Sequence, residues 1–139
     1  MTNLDVIRSR VEVTPTGCWE WNLSRDQHGY GKIKIGGRNK KAHRASYEIF
    51  VGPIPDGLTL DHLCRNRACV NPSHLEPVTH RENVLRGIGV TAQEARATQC
   101  IHGHPFDEEN TYLRPTGGRR CRRCARRHSQ TYKGTAIRA

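Results

Sequence analysis

The sequence predicts a small α+β protein in which short antiparallel strands and helices are held together by bound metal. Two observations support this prediction. Only 35% of the 139 residues are hydrophobic, so the chain can bury little apolar surface, and such a thin core usually needs disulfides or metal ions in addition. Segments with strand-like and helix-like patterns also follow one another among cysteines and histidines at short spacing.

The first predicted elements are a helix, two strands and a second helix. A short polar N-terminal segment favours a helix, and residues 18–22 and 30–35 have the composition of strands, the second with apolar residues at alternate positions. Residues 36–39 carry turn chemistry. The apolar spacing of residues 41–50 predicts a helix that ends at Gly52 and Pro53.

A polar loop follows between two more predicted strands. Residues 58–60 predict a brief strand that delivers Asp61 and His62, and residues 75–78 predict a second one. Residues 64–74 between them are too polar and irregular for regular structure. This loop therefore needs a cross-link, such as a bound metal ion or a disulfide, to hold its shape.

A capping signal predicts where the next helix begins. Thr79 can cap this helix while Glu82 bonds back to the Thr79 amide, which places Asn83 on the second turn. An apolar residue is usual at that position, so the polar Asn83 needs a functional explanation. Residues 87–89 break the helix, and residues 91–94 repeat the capping pattern for a short linker helix.

The charge of the chain indicates its partner. Lys and Arg number 23 against 13 Asp and Glu, and this net charge of +10 attracts polyanions, of which nucleic acid is the foremost. No apolar run approaches the roughly 20 residues of a membrane span, and the N-terminus lacks the apolar core of a secretion signal. We therefore expect no membrane partner and a reducing cytoplasm, where closely spaced cysteines and histidines favour zinc over disulfides.

Three residues offer the groups that phosphodiester hydrolysis needs. A neutral imidazole accepts a proton near pH 7, so His62 is the candidate general base. A hard cation such as Mg²⁺ prefers oxygen ligands, and Asp61 and Asn83 supply a carboxylate and an amide oxygen. Because Asp61 and His62 are neighbours on an extended strand, one side chain can face the cation while the other faces the attacking water.

The segment that ends at Asn83 resembles the HNH endonucleases of phages and, more closely, the His-Cys box homing endonucleases. The resemblance spans roughly residues 18–87 and rests on His62-Leu63-Cys64, Cys69, Asn71-Pro72, His74-Leu75 and Asn83. It implies a ββα-metal (His-Me finger) core that cuts DNA, with His62 as the base and Asn83 on a single Mg²⁺ or Mn²⁺ ion. Asp61 resembles the phage HNH pattern with two protein ligands, whereas some His-Cys box enzymes lack this carboxylate.

The same resemblance implies a structural zinc site that braces the polar loop. Its ligands would be Cys64, Cys69 and His74 together with a cysteine from an earlier strand, Cys18. His43 is the alternative fourth ligand.

The resemblance also implies an arginine near the scissile phosphate. Arg38 and Arg44 both precede the polar loop and are both candidates, with a slight preference for Arg38. Asn71 would bond to the backbone and orient the loop, which is a supporting role.

A second set of zinc ligands lies near the C-terminus. Cys100 and His104 are followed by Cys121 and Cys124, and His104 suits a chelate loop better than His102 does. Four protein ligands leave no open position for water, so we expect two structural zinc ions per chain. Arginines around this site are candidates for DNA contacts, although a merely solvated basic tail is the alternative. They are Arg119, Arg120, Arg122, Arg123, Arg126 and Arg127.

The predicted organisation is a nuclease domain over residues 1–90, a linker helix over 91–99 and a basic zinc module over 100–139. The expected function is metal-dependent cleavage of double-stranded DNA in a bacterial or phage-infected cell. A non-catalytic zinc-dependent DNA-binding protein on the same fold is the alternative, and an RNA nuclease is a third hypothesis. A homodimer would make paired cuts at a palindrome, whereas a monomer would nick.

Overall fold

The computed structural model describes residues 2–136, with backbone only for residues 132–136. It is a mixed α+β structure built from antiparallel strand pairs, which confirms the predicted fold class. The chain divides into two compact units, Met1–Asn83 and Val84–Ala139. Within the described part of the chain, no helix combines the length and apolar character needed to cross a membrane.

The first unit carries three antiparallel strand pairs, in which each strand pairs with its neighbour in sequence. Its elements in chain order are α1 (Asn3–Arg8), β1 (Val11–Val13), β2 (Trp19–Trp21), β3 (Lys32–Ile35), β4 (Arg38–Lys41), α2 (Ala42–Phe50), β5 (Thr59–His62), a 3-10 turn (Pro72–His74), β6 (Leu75–Val78) and α3 (His80–Arg86). The unit ends inside α3, after Asn83.

The core of this unit is small and centred on Trp21. The fully buried indole packs with Ile7 of α1, Ile33 of β3 and Ala42 of α2. Gly31 is required next to it, because a Cβ atom at that position would lie 2.7 Å from the indole ring. A thin core of this kind is consistent with the low apolar content of the chain.

The segment around residues 36–41 differs from the prediction. Arg38–Lys41 forms β4 and pairs with β3, so α2 begins at Ala42 and not at Lys41. Gly36 and Gly37 both have positive φ angles, which is the conformation that a two-residue hairpin turn of type I′ demands. The turn fixes the register, and β4 forms although all four of its residues are exposed.

The strands and the helix around the polar loop follow the prediction closely. β5 and β6 pair with Asp61 opposite Glu76. The Thr79 amide donates to the Glu82 carboxylate at 3.0 Å, and the Glu82 amide donates back to the Thr79 hydroxyl at 3.2 Å. The predicted capping box is therefore confirmed, and Asn83 lies on α3.

The second unit consists of a short helix, a hairpin and a long helix. Its elements are α4 (Val90–Arg96), β7 (Thr111–Leu113), β8 (Arg119–Cys121) and α5 (Arg122–Ala136). The capping pattern predicted at Thr91 was wrong, since α4 begins at Val90 behind Gly89 and has no side-chain cap. Gly89 is already extended there, so the helix starts before Thr91 can cap it.

Candidate active site and metal centres

Four side chains of the first unit form a cluster that could hold a metal ion. The ligand atoms of Cys18, Cys64, Cys69 and His74 all lie within 4.8 Å of one another. Nδ1 of His74 is 3.6 Å from Sγ of Cys18 and 3.6 Å from Sγ of Cys69. A tetrahedral ion with Zn–S bonds of about 2.3 Å and Zn–N bonds of about 2.0–2.1 Å would place these atoms about 3.5–3.6 Å apart. The donor set and its dimensions fit zinc.

Cys18, and not His43, lies in this cluster. The Asn71 side chain joins the segment before β2 to the polar loop, because its Nδ2 donates to the Gly17 carbonyl at 2.8 Å. Its Oδ1 accepts from the Ser73 amide at 3.0 Å and thereby caps the 3-10 turn that ends at His74. Asn71 thus bonds to backbone on both sides of the cluster.

A second such cluster lies in the second unit. The ligand atoms of Cys100, His104, Cys121 and Cys124 lie within 4.8 Å of one another, and His102 is outside the group. The Cys100 and Cys124 Sγ atoms are 3.7 Å apart, and Nδ1 of His104 is 3.6 Å from Sγ of Cys121. These separations are also those of a tetrahedral zinc site.

The buried side chain of Asn110 contacts a ligand of the second cluster. It is 3% exposed, and its Nδ2 donates to Sγ of Cys121 at 3.3 Å and to the Pro105 carbonyl at 2.6 Å. The backbone amide of Arg123 donates to its Oδ1 at 3.0 Å. Asn110 therefore holds the Cys121 sulfur and the start of α5 in position relative to each other. No local pattern in the sequence indicated this contribution.

His62 lies at the end of β5 and is 6% exposed. Its Nε2 is 3.1 Å from the carbonyl oxygen of Cys69. A carbonyl oxygen only accepts, so Nε2 carries the proton and Nδ1 of the neutral ring keeps its lone pair. Burial lowers the pKa of His62, although the Cys69 carbonyl and the Asp61 charge act in the opposite direction. The ring is therefore held neutral and in one tautomer.

Asp61 and Asn83 approach the same face of β5. Side chains of residues 59 and 61 share one face of the strand, since successive residues alternate. Nδ2 of Asn83 donates to Oγ1 of Thr59 at 3.1 Å, which brings Asn83 to that face. Asp61 is 2% exposed and accepts from Nη1 of Arg65 at 2.7 Å. Arg65 has a φ of 59°, an unusual value outside glycine, at the turn that brings its side chain back to Asp61.

Two aromatic side chains that the sequence analysis did not place at the site pack against His62. The His43 ring centroid is 4.8 Å from that of His62, and the Tyr30 centroid is 5.8 Å away. Burial lowers the pKa of His43 to about 3, and repulsion by the His62 ring once acid protonates it, and by the charge of Arg44, adds to the shift. Its Nδ1 is buried without a hydrogen-bond partner. The signal available in the sequence was a histidine beside Ala42 on the apolar face of α2.

The depressed pKa of His43 predicts a loss of stability in acid. Between pH 6.5 and about 3 the unfolded chain binds a proton at His43 and the folded chain does not, so each pH unit in this window costs up to about 1.4 kcal/mol. His43→Phe removes this contribution. The free energy of unfolding, measured with urea at pH 6.5 and pH 5, should therefore fall less between these pH values in the variant than in the wild type. His80→Phe, at an exposed histidine on α3, is the control. An equal fall in the free energy of unfolding for His43→Phe and the wild type would contradict the prediction.

Four arginines of the first unit are candidates for the scissile phosphate, and they fall into two groups. Arg38 is exposed at the first position of β4, beside the hairpin turn, and Arg44 is half-buried on α2. The positive charges of Arg67 and Arg65 lower the pKa of His62 further. Arg67 also lies over the Tyr30 ring, 5.6 Å from its centroid. The polar loop itself therefore supplies arginines next to His62, which the sequence analysis did not consider.

The six arginines proposed for DNA contacts are not equivalent. The Arg119 guanidinium donates to the carbonyls of Glu94, Ala95 and Ala97 at the end of α4 and stacks on Phe106 at 4.5 Å. Arg119 is therefore engaged in holding the second unit together. The other five are exposed on β8 and α5, and they are Arg120, Arg122, Arg123, Arg126 and Arg127.

Comparisons with known proteins agree with the geometry of the first unit. A model of the HNH endonuclease family matches residues 40–85, which contain β5, the polar loop, β6 and Asn83. An uncharacterized gene 5.3 protein of Enterobacteria phage T3 is 37% identical over 84 residues, covering 55% of this chain and 83% of that protein. Protein 2.8 of Escherichia phage T7 is 37% identical over 79 residues, 55% of this chain and 53% of that protein.

Among solved structures, the chain is similar to the HNH homing endonuclease I-HmuI in a structure of DNA binding and cleavage. The match has a TM-score of 0.33 and 19% sequence identity, and it covers 83% of this chain and 63% of that one.

Proposed function

The chain belongs to the HNH endonuclease family, and we propose that it hydrolyses phosphodiester bonds of double-stranded DNA with His62 as the general base. The hydrogen bond from Nε2 of His62 to the Cys69 carbonyl carries this proposal. It leaves Nδ1 as the acceptor for a proton of the attacking water, and burial of the ring keeps this acceptor unprotonated near pH 7.

Asp61 and Asn83 would hold the divalent cation. The two side chains approach one face of β5 and offer a carboxylate and an amide oxygen, which are ligands that Mg²⁺ and Mn²⁺ accept. When bound, the cation would stabilise negative charge on the phosphate and on the leaving oxygen. Nδ2 of Asn83 donates to Thr59, so Oδ1 is the side-chain atom of Asn83 that remains for the cation.

The zinc of the first unit would orient the base. Cys69 contributes its Sγ to the metal cluster and its carbonyl to His62, so one residue belongs to both sites. A base must be placed within a fraction of an ångström to be effective. The structural zinc would therefore act on the reaction through the position of the Cys69 carbonyl.

Positive side chains on the β3–β4 hairpin support nucleic acid as the partner. Residues directly opposite each other share a face of a strand pair, so the pairs Lys32–Lys41 and Lys34–Asn39 form one face and Arg38 and Lys40 lie on the other. Lys40 is paired with Glu48 and Lys41 with Asp26, so the ribbon offers Lys32, Lys34 and Arg38 to phosphates, whose binding falls with salt. Arg67, whose charge acts on His62, is the arginine that we propose for the scissile phosphate.

A supercoiled plasmid tests the proposal. The wild-type protein with Mg²⁺ or Mn²⁺ should convert it into nicked or linear DNA, resolved on a gel, and metal-free buffer should stop the reaction. Binding of the plasmid without cleavage in any divalent ion would favour the non-catalytic DNA-binding protein. Cleavage of RNA while duplex DNA survives would instead assign an RNA nuclease.

Asn83→Ala should raise the Mg²⁺ concentration needed for half-maximal cleavage by about tenfold or more, because one oxygen ligand is lost. Asn83→Asp keeps an oxygen at the same place and should recover most of the affinity. Thr59→Val removes the hydrogen-bond partner of Asn83 and leaves the ligand, so its effect should be smaller. An unchanged Mg²⁺ titration for Asn83→Ala would exclude Asn83 as a ligand.

A further inference from the structure

The second unit contains a groove that neither metal cluster accounts for. Its volume is about 340 Å³, at the small end of the roughly 300–1,000 Å³ of ligand pockets. The residues that line it are Tyr112, Arg120, Arg122, Ala125 and Arg126. Three of these five side chains are cationic, one is aromatic, and none of them is acidic.

Strand and helix geometry explains why these side chains converge. Tyr112 and Arg120 are directly opposite each other in the β7–β8 pair and therefore share a face. Arg122, Ala125 and Arg126 are spaced i, i+3 and i+4 on α5 and share one face of that helix. Ala125 is small, so the two arginines flank an open space between them.

Residues that line the groove are direct sequence neighbours of two ligands of the second metal cluster. Cys121 lies between Arg120 and Arg122 in sequence, and Cys124 precedes Ala125. Nε of Arg122 donates to the Thr111 carbonyl at 3.3 Å, which ties this side chain to β7. The lining is therefore preorganised by the residues that would hold zinc.

The chemistry of the lining favours an unpaired nucleotide over a duplex. Three arginines brought together repel one another, and an anion such as phosphate offsets that repulsion. Tyr112 is 46% exposed beside them, and a duplex, whose bases are stacked inward, has no free base to place on its ring. A single strand offers a base to the ring and phosphates to the arginines.

We propose that the groove of Tyr112, Arg120, Arg122 and Arg126 binds one base of an unpaired DNA strand by stacking and its flanking phosphates by charge. The inference rests on the proposal that the chain acts on DNA, but it concerns binding and not cleavage. A protein with this groove would engage a frayed or displaced strand of DNA.

Fluorescence anisotropy with a labelled single strand of about 12 nucleotides, and with the corresponding duplex, tests the proposal on full-length zinc-loaded protein without Mg²⁺. Tyr112→Leu should weaken binding of the single strand about tenfold, whereas Tyr112→Phe should keep it. Arg126→Ala should also weaken binding and reduce its salt dependence. Arg114→Ala removes the same charge from an exposed position outside the groove and is the matched control.

Three results would overturn the inference: no measurable single-strand binding by the wild type, equal binding by Tyr112→Leu and wild type, or equal losses for Arg126→Ala and Arg114→Ala. A zinc content equal to that of the wild type shows that a variant has folded. Plasmid cleavage is scored separately. If the wild type cleaves the plasmid but the groove variants bind the single strand as the wild type does, only the groove proposal fails. If the groove variants lose single-strand binding but the wild type cleaves nothing, only the proposed reaction fails.

Discussion

Replacing His62 with alanine should lower the rate of plasmid cleavage by about 10²- to 10⁴-fold, which is the usual contribution of a general base. The structure offers a reason for a large effect, since the Nδ1 lone pair of His62 is fixed by the bond from Nε2 to Cys69. Cleavage would be measured as the first-order loss of supercoiled plasmid at saturating Mg²⁺.

His62→Gln separates the chemistry from the fold. Its amide nitrogen can still donate toward the Cys69 carbonyl, so the loop should keep its position while the base is lost. Both variants should therefore be inactive and contain as much zinc as the wild type, and His80→Ala should cleave normally. A His62→Gln protein that retains half of the wild-type rate would rule out His62 as the base.

Loss of a ligand from the first metal cluster should have the second large effect. Structural zinc contributes on the order of 10 kcal/mol to folding small domains, which is comparable to the whole stability of such a domain. Cys69→Ser should therefore bind one zinc ion per chain instead of two, unfold the first unit and abolish cleavage. Metal analysis and circular dichroism on the same sample would measure these changes.

Cys124→Ser is the matched variant in the second unit. It should also lose one zinc ion, because Cys124 belongs to the other cluster. The turnover number for cleavage should be retained, while the affinity for DNA falls because the basic groove is no longer held in shape. Two zinc ions in Cys69→Ser, or equal loss of turnover in both variants, would contradict the assignment of separate clusters.

Local signals in the sequence were sufficient for the elements around the polar loop. The spacing from Cys64 to His74 and the capping box from Thr79 to Glu82 each depend on a few neighbouring residues, and both features reappear in the structure. The same holds for Cys100, His104, Cys121 and Cys124. Local spacing cannot choose between distant candidates, so His43 remained an alternative to Cys18 until the fold brought Cys18 to the cluster.

Features that depend on pairing or packing between segments were missed. β4 has no apolar residue to signal a strand, and only the glycine turn before it and its pairing with β3 establish it. The His43 and Tyr30 rings lie beside His62 although they are 19 and 32 residues away in sequence, a long-range contact that no local periodicity encodes. Arg119 likewise resembles its basic neighbours in sequence, although its guanidinium binds the end of α4.

The double role of Cys69 determines where the chain tolerates a change of length. An insertion between Cys64 and Cys69 would displace the Cys69 carbonyl from His62 even if a longer loop still bound metal. The hairpin turn at Gly36 and Gly37 is different, because open space surrounds both residues, although their positive φ angles disfavour other residue types at these two positions. We expect a longer turn of another sequence to be tolerated there, whereas the loop beside the base should be confined to its present length.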